Sequence, residues 1–221
     1  MNNVEKQKNQ ENSETLKLKE GFTKTLSLFS SDTEKIEAIF KKLVILYSQE
    51  GRYYHTLKHI QAMLSFLEER KDRIANFKAL SLATWYHDAV YDSRSKTNEL
   101  DSAEMMKQDL VDLSIPEELT QLIYQLILAT QKHRTIENSK DCDIFLDADL
   151  SILSRTEHVY SAYASNIKKE YSWVPEDEYK KGRKAILENF LQRDKIYFSE
   201  NMKEAEVVAR QNIKRELSQL I

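Results

Sequence analysis

Turn-forming residues are scarce in this chain, which has only 3 glycines and 2 prolines among 221 residues. Glycine and proline most often mark turns and interrupt helices, so their scarcity favours long helices over strands and tight turns. Apolar residues also recur at the spacing of one helix face, as in Ile36, Ile39, Phe40 and Leu43. We therefore predict an all-α fold, a single helical bundle of about nine or ten helices over residues 14–221. Residues 1–13 are polar and aperiodic, and we predict a disordered or frayed leader there.

Four segments of the chain matter for the later argument, and each is predicted to be helical or a short turn. One helix runs from about His55 to Arg70, and a mostly apolar segment from Phe77 to Tyr91 is predicted to be the buried central helix. Residues 143–153 are predicted to form a short apolar helix or turn. Ser199 is predicted to cap a final helix, which packs either on its own domain or on a second subunit, as in a homodimer.

Charge and cysteine content exclude several classes of protein. The formal net charge is −3 and no basic stripe stands out, which argues against general nucleic-acid binding. The single cysteine, Cys142, excludes an intrachain disulfide and fits a reducing compartment. We find neither a signal-peptide layout nor an apolar run long enough to span a membrane. The expectation is a cytoplasmic protein without membrane partners.

Histidine and aspartate occur in apolar surroundings in three separate segments. The residues are His55 and His59 in RYYHTLKHI, His87 and Asp88 in ATWYHDAVYD, and Asp149 in LDADLSIL. An ionised aspartate in an apolar helix is costly unless it is paired or bound to a metal. Imidazole and carboxylate without thiolate suit Zn, Mn, Fe, Co or Mg. The alternatives for single residues are buried helix histidines at 55 and 59, and a capping or salt-bridging Asp88.

The order HxxxH, HD and D resembles the HD-domain superfamily of metal-dependent phosphohydrolases. YHTLKHI, NELDSA, LATQKH and ADLSIL are similar, in the same order, to segments of the class I cyclic-nucleotide phosphodiesterases within that superfamily. A closer similarity, over roughly residues 35–215, is to a small bacterial family of uncharacterised predicted HD phosphohydrolases. That similarity includes WYHDAVYD and the tail from Glu170. We find no match for the aromatic–glutamine purine clamp of the phosphodiesterases.

The resemblance implies a role for each matching residue. His59, His87, Asp88 and Asp149 would hold one or two divalent ions, with Asp88 bridging them where there are two. His55 would be the general acid, and Glu99 would contact metal-bound water. The implied activity is hydrolysis of a phosphate ester of a small, nucleotide-like substrate, as a phosphomonoesterase or phosphodiesterase, by attack of metal-bound hydroxide.

A phosphate substrate also needs cations nearby. The substrate-binding candidates are Arg52, Lys132, His133, Arg134 and Arg183. The alternatives are a solvated helix end for Lys132 and Arg134, and a salt bridge to Glu170 or Glu188 for Arg183.

Two other functions are compatible with the sequence. One is a catalytically silent HD module that binds metal or nucleotide for regulation. The other is a structural helical protein in which the HD pair is coincidental. The intact His55 and complete ligand set favour the enzyme.

Overall fold

A computed structural model of the protein describes the backbone of residues 3–220 and the side-chain surroundings of residues 13–220. The all-α prediction is confirmed: within the described backbone there are ten α-helices and no strand. The helices are α1 (Asn3–Leu26), α2 (Thr33–Tyr47), α3 (Leu57–Glu68), α4 (Phe77–Tyr86), α5 (Asn98–Val111), α6 (Glu117–Thr130), α7 (Lys140–Asp149), α8 (Glu157–Glu170), α9 (Glu176–Gln192) and α10 (Lys203–Gln219). Short 3₁₀ turns lie at Lys71–Arg73, Leu150–Ser154 and Glu200–Met202.

The central helix is α4, as its apolar sequence predicts. Every residue from Ala79 to Tyr86 is buried, and α1, α3, α5, α6 and α7 pack around this helix. Trp85 lies edge-on to Phe22 and Phe40, with ring centroids 5.1 and 5.6 Å away. Burial of large aromatic side chains contributes strongly to core stability, so this cluster fixes α4 against α1 and α2.

Two helix ends differ from the prediction, and both lie at candidate site residues. The helix predicted from His55 begins at Leu57, and the helix predicted to reach Tyr91 ends at Tyr86. His55 therefore lies in the turn before α3, and His87 is the C-terminal cap of α4. The two predicted helical histidines 55 and 59 do not share a helix.

The last three helices form the other side of the molecule. Helix α10 packs against the Leu150–Ser154 turn, α8 and α9, and buries Ala209 and Ile213. The final helix thus packs on its own domain. None of the described helices has both the length and the apolar character needed to cross a bilayer.

The structure describes only part of the segment 1–13, which we predicted to be a disordered or frayed leader. Helix α1 begins at Asn3 and so includes most of residues 1–13 in helical backbone. Met1 and Asn2 lie outside the described residues.

Candidate metal centre and adjoining cleft

Four of the predicted residues form one compact group, which we call the His-Asp cluster: His59, His87, Asp88 and Asp149. The Nε2 atoms of His59 and His87 are 3.2 Å apart. His59 Nε2 lies 3.2 Å from Asp149 Oδ1, and His87 Nε2 lies 3.0 Å from Asp88 Oδ2. Two imidazole nitrogens that face each other between two carboxylates form an arrangement that a shared cation stabilises.

The spacing of these atoms fits a divalent metal. Ligand atoms of His59, His87 and Asp149 all lie within 4.8 Å of one another. Asp88 Oδ2 is 3.0 and 3.9 Å from the two histidine Nε2 atoms. Neighbouring ligands at metal bonds of ~2.1 Å lie roughly 3.0–3.4 Å apart, so small side-chain adjustments suffice to enclose an ion. The donor set of nitrogen and oxygen suits Zn, Mn, Fe or Co.

Helix ends position the cluster. His87 caps the C-terminal end of α4, and Asp149 is the last residue of α7. The C-terminal end of a helix carries partial negative charge, so two helices add to the negative potential of the carboxylates here. His59 approaches from the first turn of α3. The cluster therefore attracts a cation by its backbone as well as by its side chains.

Hydrogen bonds select which histidine nitrogen faces the cluster. His87 Nδ1 lies 3.0 Å from the carbonyl oxygen of Thr84. A carbonyl can only accept, so Nδ1 carries a proton and donates it, and Nε2 is the atom that faces the carboxylates of the cluster. Metal-binding histidines are commonly oriented in this way by a backbone carbonyl.

The charges of the cluster are strongly coupled. Burial disfavours ionised Asp88, but the charges of His87 and His55 outweigh burial and hold its pKa below the usual range. Burial likewise opposes ionisation of Asp149, whose pKa is nevertheless lowered by hydrogen bonds from His133, His59 and His87. Both carboxylates are thus kept as anions. Burial also lowers the pKa of His59, which favours the neutral, metal-binding imidazole.

His133 supports Asp149 from outside the cluster. Its Nε2 lies 2.8 Å from Asp149 Oδ2, and the carboxylate can only accept that hydrogen bond. The residue has a φ of +44°, a left-handed backbone conformation that is uncommon for non-glycine residues. Arg193 donates to the carbonyl oxygen of His133 at 3.4 Å and so braces this backbone. The structure thus places His133 as a positioning residue.

His55 lies beside the cluster without joining its tightest group. Its Nε2 is 3.9 Å from Asp88 Oδ2, and its ring lies 4.4 Å from that of Tyr91. Burial lowers the pKa of His55, but Asp88 and Glu170 outweigh burial, so the net pKa is raised above the ordinary value. The ring therefore keeps a proton readily and points it toward the cluster.

Glu170 is a site residue that the sequence motifs did not reveal as such. Its Oε1 accepts hydrogen bonds from the backbone N–H groups of Tyr53, Tyr54 and His55 at 2.7, 2.7 and 3.0 Å. Its Oε2 accepts from His55 Nδ1 at 2.6 Å and from the hydroxyl of Tyr91 at 2.9 Å. One buried carboxylate thus fixes both the backbone of the turn and the ring of His55.

A signal for Glu170 did exist in the sequence. Tyr160, Ile167 and Glu170 are the buried residues of α8, and their spacing places them on one helical stripe. A carboxylate on a core-facing stripe needs a partner. The position of that partner, 115 residues earlier in the chain, is not visible in the helical pattern.

The basic side chains that we predicted to bind a phosphate substrate have different surroundings in the structure. Arg52 is buried and donates to the carbonyl oxygens of Asp88 and Ala89 at 2.7 and 2.8 Å and of His55 at 3.2 Å. This guanidinium braces the backbone on both sides of the site. The prediction that Arg52 binds phosphate is therefore not supported by its placement, because its terminal nitrogens already hold three carbonyls.

Arg183 is also engaged by the protein itself. Its Nε and Nη2 donate to Glu216 at 2.7 and 3.1 Å, and Glu216 also accepts from Tyr160 at 2.6 Å. The alternative for Arg183, a salt bridge, is formed, but its partner is Glu216 and not Glu170 or Glu188. Because Glu216 compensates the charge of Arg183, the predicted phosphate role of this residue is weakened.

An open cleft of ≈ 880 Å³ adjoins the cluster. His55, Asp88 and Asp149 line it, as do the predicted Glu99, Lys132, His133 and Arg183. Arg134 is exposed and, like Arg52, is not among the described residues that line the cleft. The structure thus brings most predicted site residues to one cleft, whose volume is in the range of small-molecule sites.

Comparison with protein-family models, with curated proteins and with solved structures gives no match to this chain. Function is therefore inferred from the residues and their geometry.

Proposed function

We propose that this protein is a metal-dependent phosphohydrolase that cleaves a phosphate ester of a small, nucleotide-like substrate. The observation that carries the proposal is the His55–Glu170 pair, in which the buried carboxylate of Glu170 holds the partly buried ring of His55 with its Nε2 toward the His-Asp cluster, within one cleft. The HD-like order of the motifs supports the same class.

His59, His87, Asp88 and Asp149 are the residues that would hold one or two divalent ions. A bound divalent ion acidifies water and stabilises the charge on phosphoryl oxygens. The chain supplies the ligand geometry, two anionic carboxylates and the oriented Nε2 of His87. These properties hold whichever of Mn, Fe, Co or Zn is the native ion.

His55 is the proposed general acid. Its Nδ1–H is held by Glu170, so its Nε2 faces the cleft beside Asp88. The raised pKa of His55 favours the protonated ring, whose proton on Nε2 is available to the leaving oxygen of the substrate. A general acid needs a proton that is held within reach of the leaving group.

Other residues of the cleft support binding. Lys132 is exposed at the cleft and adds positive charge near His133, which favours an anionic substrate. Glu99, in the first turn of α5, faces the same cleft and is the proposed contact for water at the ion.

The proposal is tested by hydrolysis with and without metal. The purified protein, stripped with a chelator and reloaded separately with Mn, Fe, Co, Zn or Mg, is assayed against a panel of phosphomonoesters and phosphodiesters. We expect release of phosphate or alcohol with at least one ion and none in the stripped protein. Tight metal binding without turnover of any ester would instead support the silent regulatory module.

A further inference from the structure

The part of the cleft that has no assigned role is the face of α9 that lines it. Cleft-lining positions recur on this helix from Glu178 to Arg193, at the spacing of one helical face. At about 1.5 Å per residue this face is roughly 20 Å long. A phosphate group occupies only a small part of such a length, so the cleft has room for a large non-phosphate portion of a substrate.

Gly182 in the middle of α9 is not required by the packing of the described residues. A Cβ atom added there would meet none of their atoms within 4 Å, and the backbone conformation is that of an ordinary helix. Glycine in a helix interior is unfavourable relative to alanine. Because Gly182 lines the cleft, the missing side chain leaves room in the cleft rather than room for a neighbouring helix.

Aromatic side chains line the same cleft as Gly182. Tyr163, Tyr171, Tyr179 and Phe190 line the cleft, and the rings of Tyr171 and Tyr179 lie 6.4 Å apart. Ring pairs at such distances prefer offset or edge-on contact, and a flat ligand ring is bound by the same forces. Tyrosine presents rigid, partly polar surface, which suits a ring better than a flexible chain.

Polar side chains interrupt the apolar surface. Glu178 and Asn189 lie on the same face of α9 as Ile186, which is 52% exposed. An acyl chain is bound best by a continuous apolar wall, whereas a flat ring with hydrogen-bonding edges uses both kinds of side chain. The composition of the wall thus favours an aromatic ring with polar edges.

We propose that the α9 face binds an aromatic group of the substrate, which lies against the backbone at Gly182 and beside Ile186. This inference rests on the proposed function for the position of the phosphate. The substrates would be phosphate esters that carry a flat, polar-edged ring beyond the ester oxygen. Small sugar phosphates lack the ring and bind without this contact.

Ring binding is tested on the metal-free protein by titration calorimetry. The four common nucleoside 5′-monophosphates are compared with ribose 5-phosphate, which has the same phosphate and leaving oxygen but no base. We expect at least one nucleotide to bind ten times more tightly than ribose 5-phosphate or better. Equal affinities, or no measurable binding of any nucleotide, would overturn the inference.

Two substitutions with matched controls locate the contact. Gly182→Leu fills the cleft and improves helix propensity, so it should raise the melting temperature while removing the preference for nucleotides. Gly21→Leu is its control, since Gly21 lies inside α1 with equally open surroundings. Ile186→Asp should also remove the preference, whereas Ile45→Asp, at a 66% exposed position on α2, should not.

The outcomes separate the two proposals. An unchanged nucleotide preference in both Gly182→Leu and Ile186→Asp would refute the α9 contact. Turnover of phosphomonoesters or phosphodiesters without an aromatic ring by the metal-loaded protein reports on the phosphohydrolase proposal alone, because these substrates have no ring to bind.

Discussion

Replacing His55 by alanine should lower kcat by about 10²–10⁴-fold, the usual contribution of a general acid, while leaving bound metal in place. Its Nε2 lies 3.9 Å from Asp88 Oδ2, beyond hydrogen-bond distance, so its removal should leave the four ligands in place. The loss should be smaller for esters with good leaving groups, such as p-nitrophenyl phosphate, because these need little protonation. Steady-state kinetics and metal analysis on the same preparation measure both effects.

His158 provides the matched control for this substitution. It is exposed on α8, and His158→Ala should keep the kinetics of the natural protein. If the His55→Ala variant retained most of its turnover on esters with poor leaving groups, His55 would not be the acid.

Replacing Glu170 by alanine should cost about 3–5 kcal/mol of folding free energy, the range for breaking a buried charge pair. The substitution leaves three backbone N–H groups, His55 Nδ1 and the Tyr91 hydroxyl without their common acceptor. Turnover should fall as well, because the ring of His55 loses its orientation. Denaturant unfolding, with Glu157→Ala on the exposed side of α8 as control, measures the stability loss.

The pH dependence of this loss has a definite sign. Burial raises the pKa of Glu170, but the hydrogen bond and charge of His55 and the backbone N–H donors outweigh it and lower the pKa from 4.5 to about 2. A carboxyl group whose pKa is lowered by folding stabilises the folded state at pH values above its unfolded-state pKa. This stabilisation is lost as the pH falls through the pKa of the folded state. The difference in the free energy of unfolding between the natural protein and Glu170→Ala should therefore be largest at about pH 6. It should shrink as the pH falls from 4.5 to about 2. A difference that stayed constant over this range would contradict the role given to the ionised carboxylate.

The helical fold could be predicted well from the sequence because local patterns carry that information. The apolar stripe of Ile36, Ile39, Phe40 and Leu43 lies buried on α2 as expected, and the side chain of Asp32 caps this helix by accepting from the backbone N–H of Lys35. The cluster residues were also visible locally, since His87, Asp88 and Asp149 are polar residues in apolar runs. A polar residue in such a run requires a partner, and this requirement does not depend on distant parts of the chain.

The helix ends at the site could not be predicted from local pattern. The apolar run of α4 continues to Tyr91, yet the carbonyls of Asp88 and Ala89 bond to Arg52 instead of to helical N–H groups. In the same way the N–H groups around His55 bond to Glu170. Arg52 and Glu170 lie at least 36 residues along the chain from the groups that they bind. Local periodicity carries no information about such distant partners, so it predicts helix in these segments.

Elemental analysis of the purified protein shows whether the His-Asp cluster holds a divalent metal ion, as we propose. We expect near-stoichiometric divalent metal in the natural protein and in His158→Ala, and its loss in His59→Ala and Asp149→Ala. Circular dichroism should show that both variants remain helical. If the natural protein took up no metal even after incubation with Mn, Fe, Co or Zn, or if both cluster variants bound it equally well, the metal site at this cluster would be contradicted.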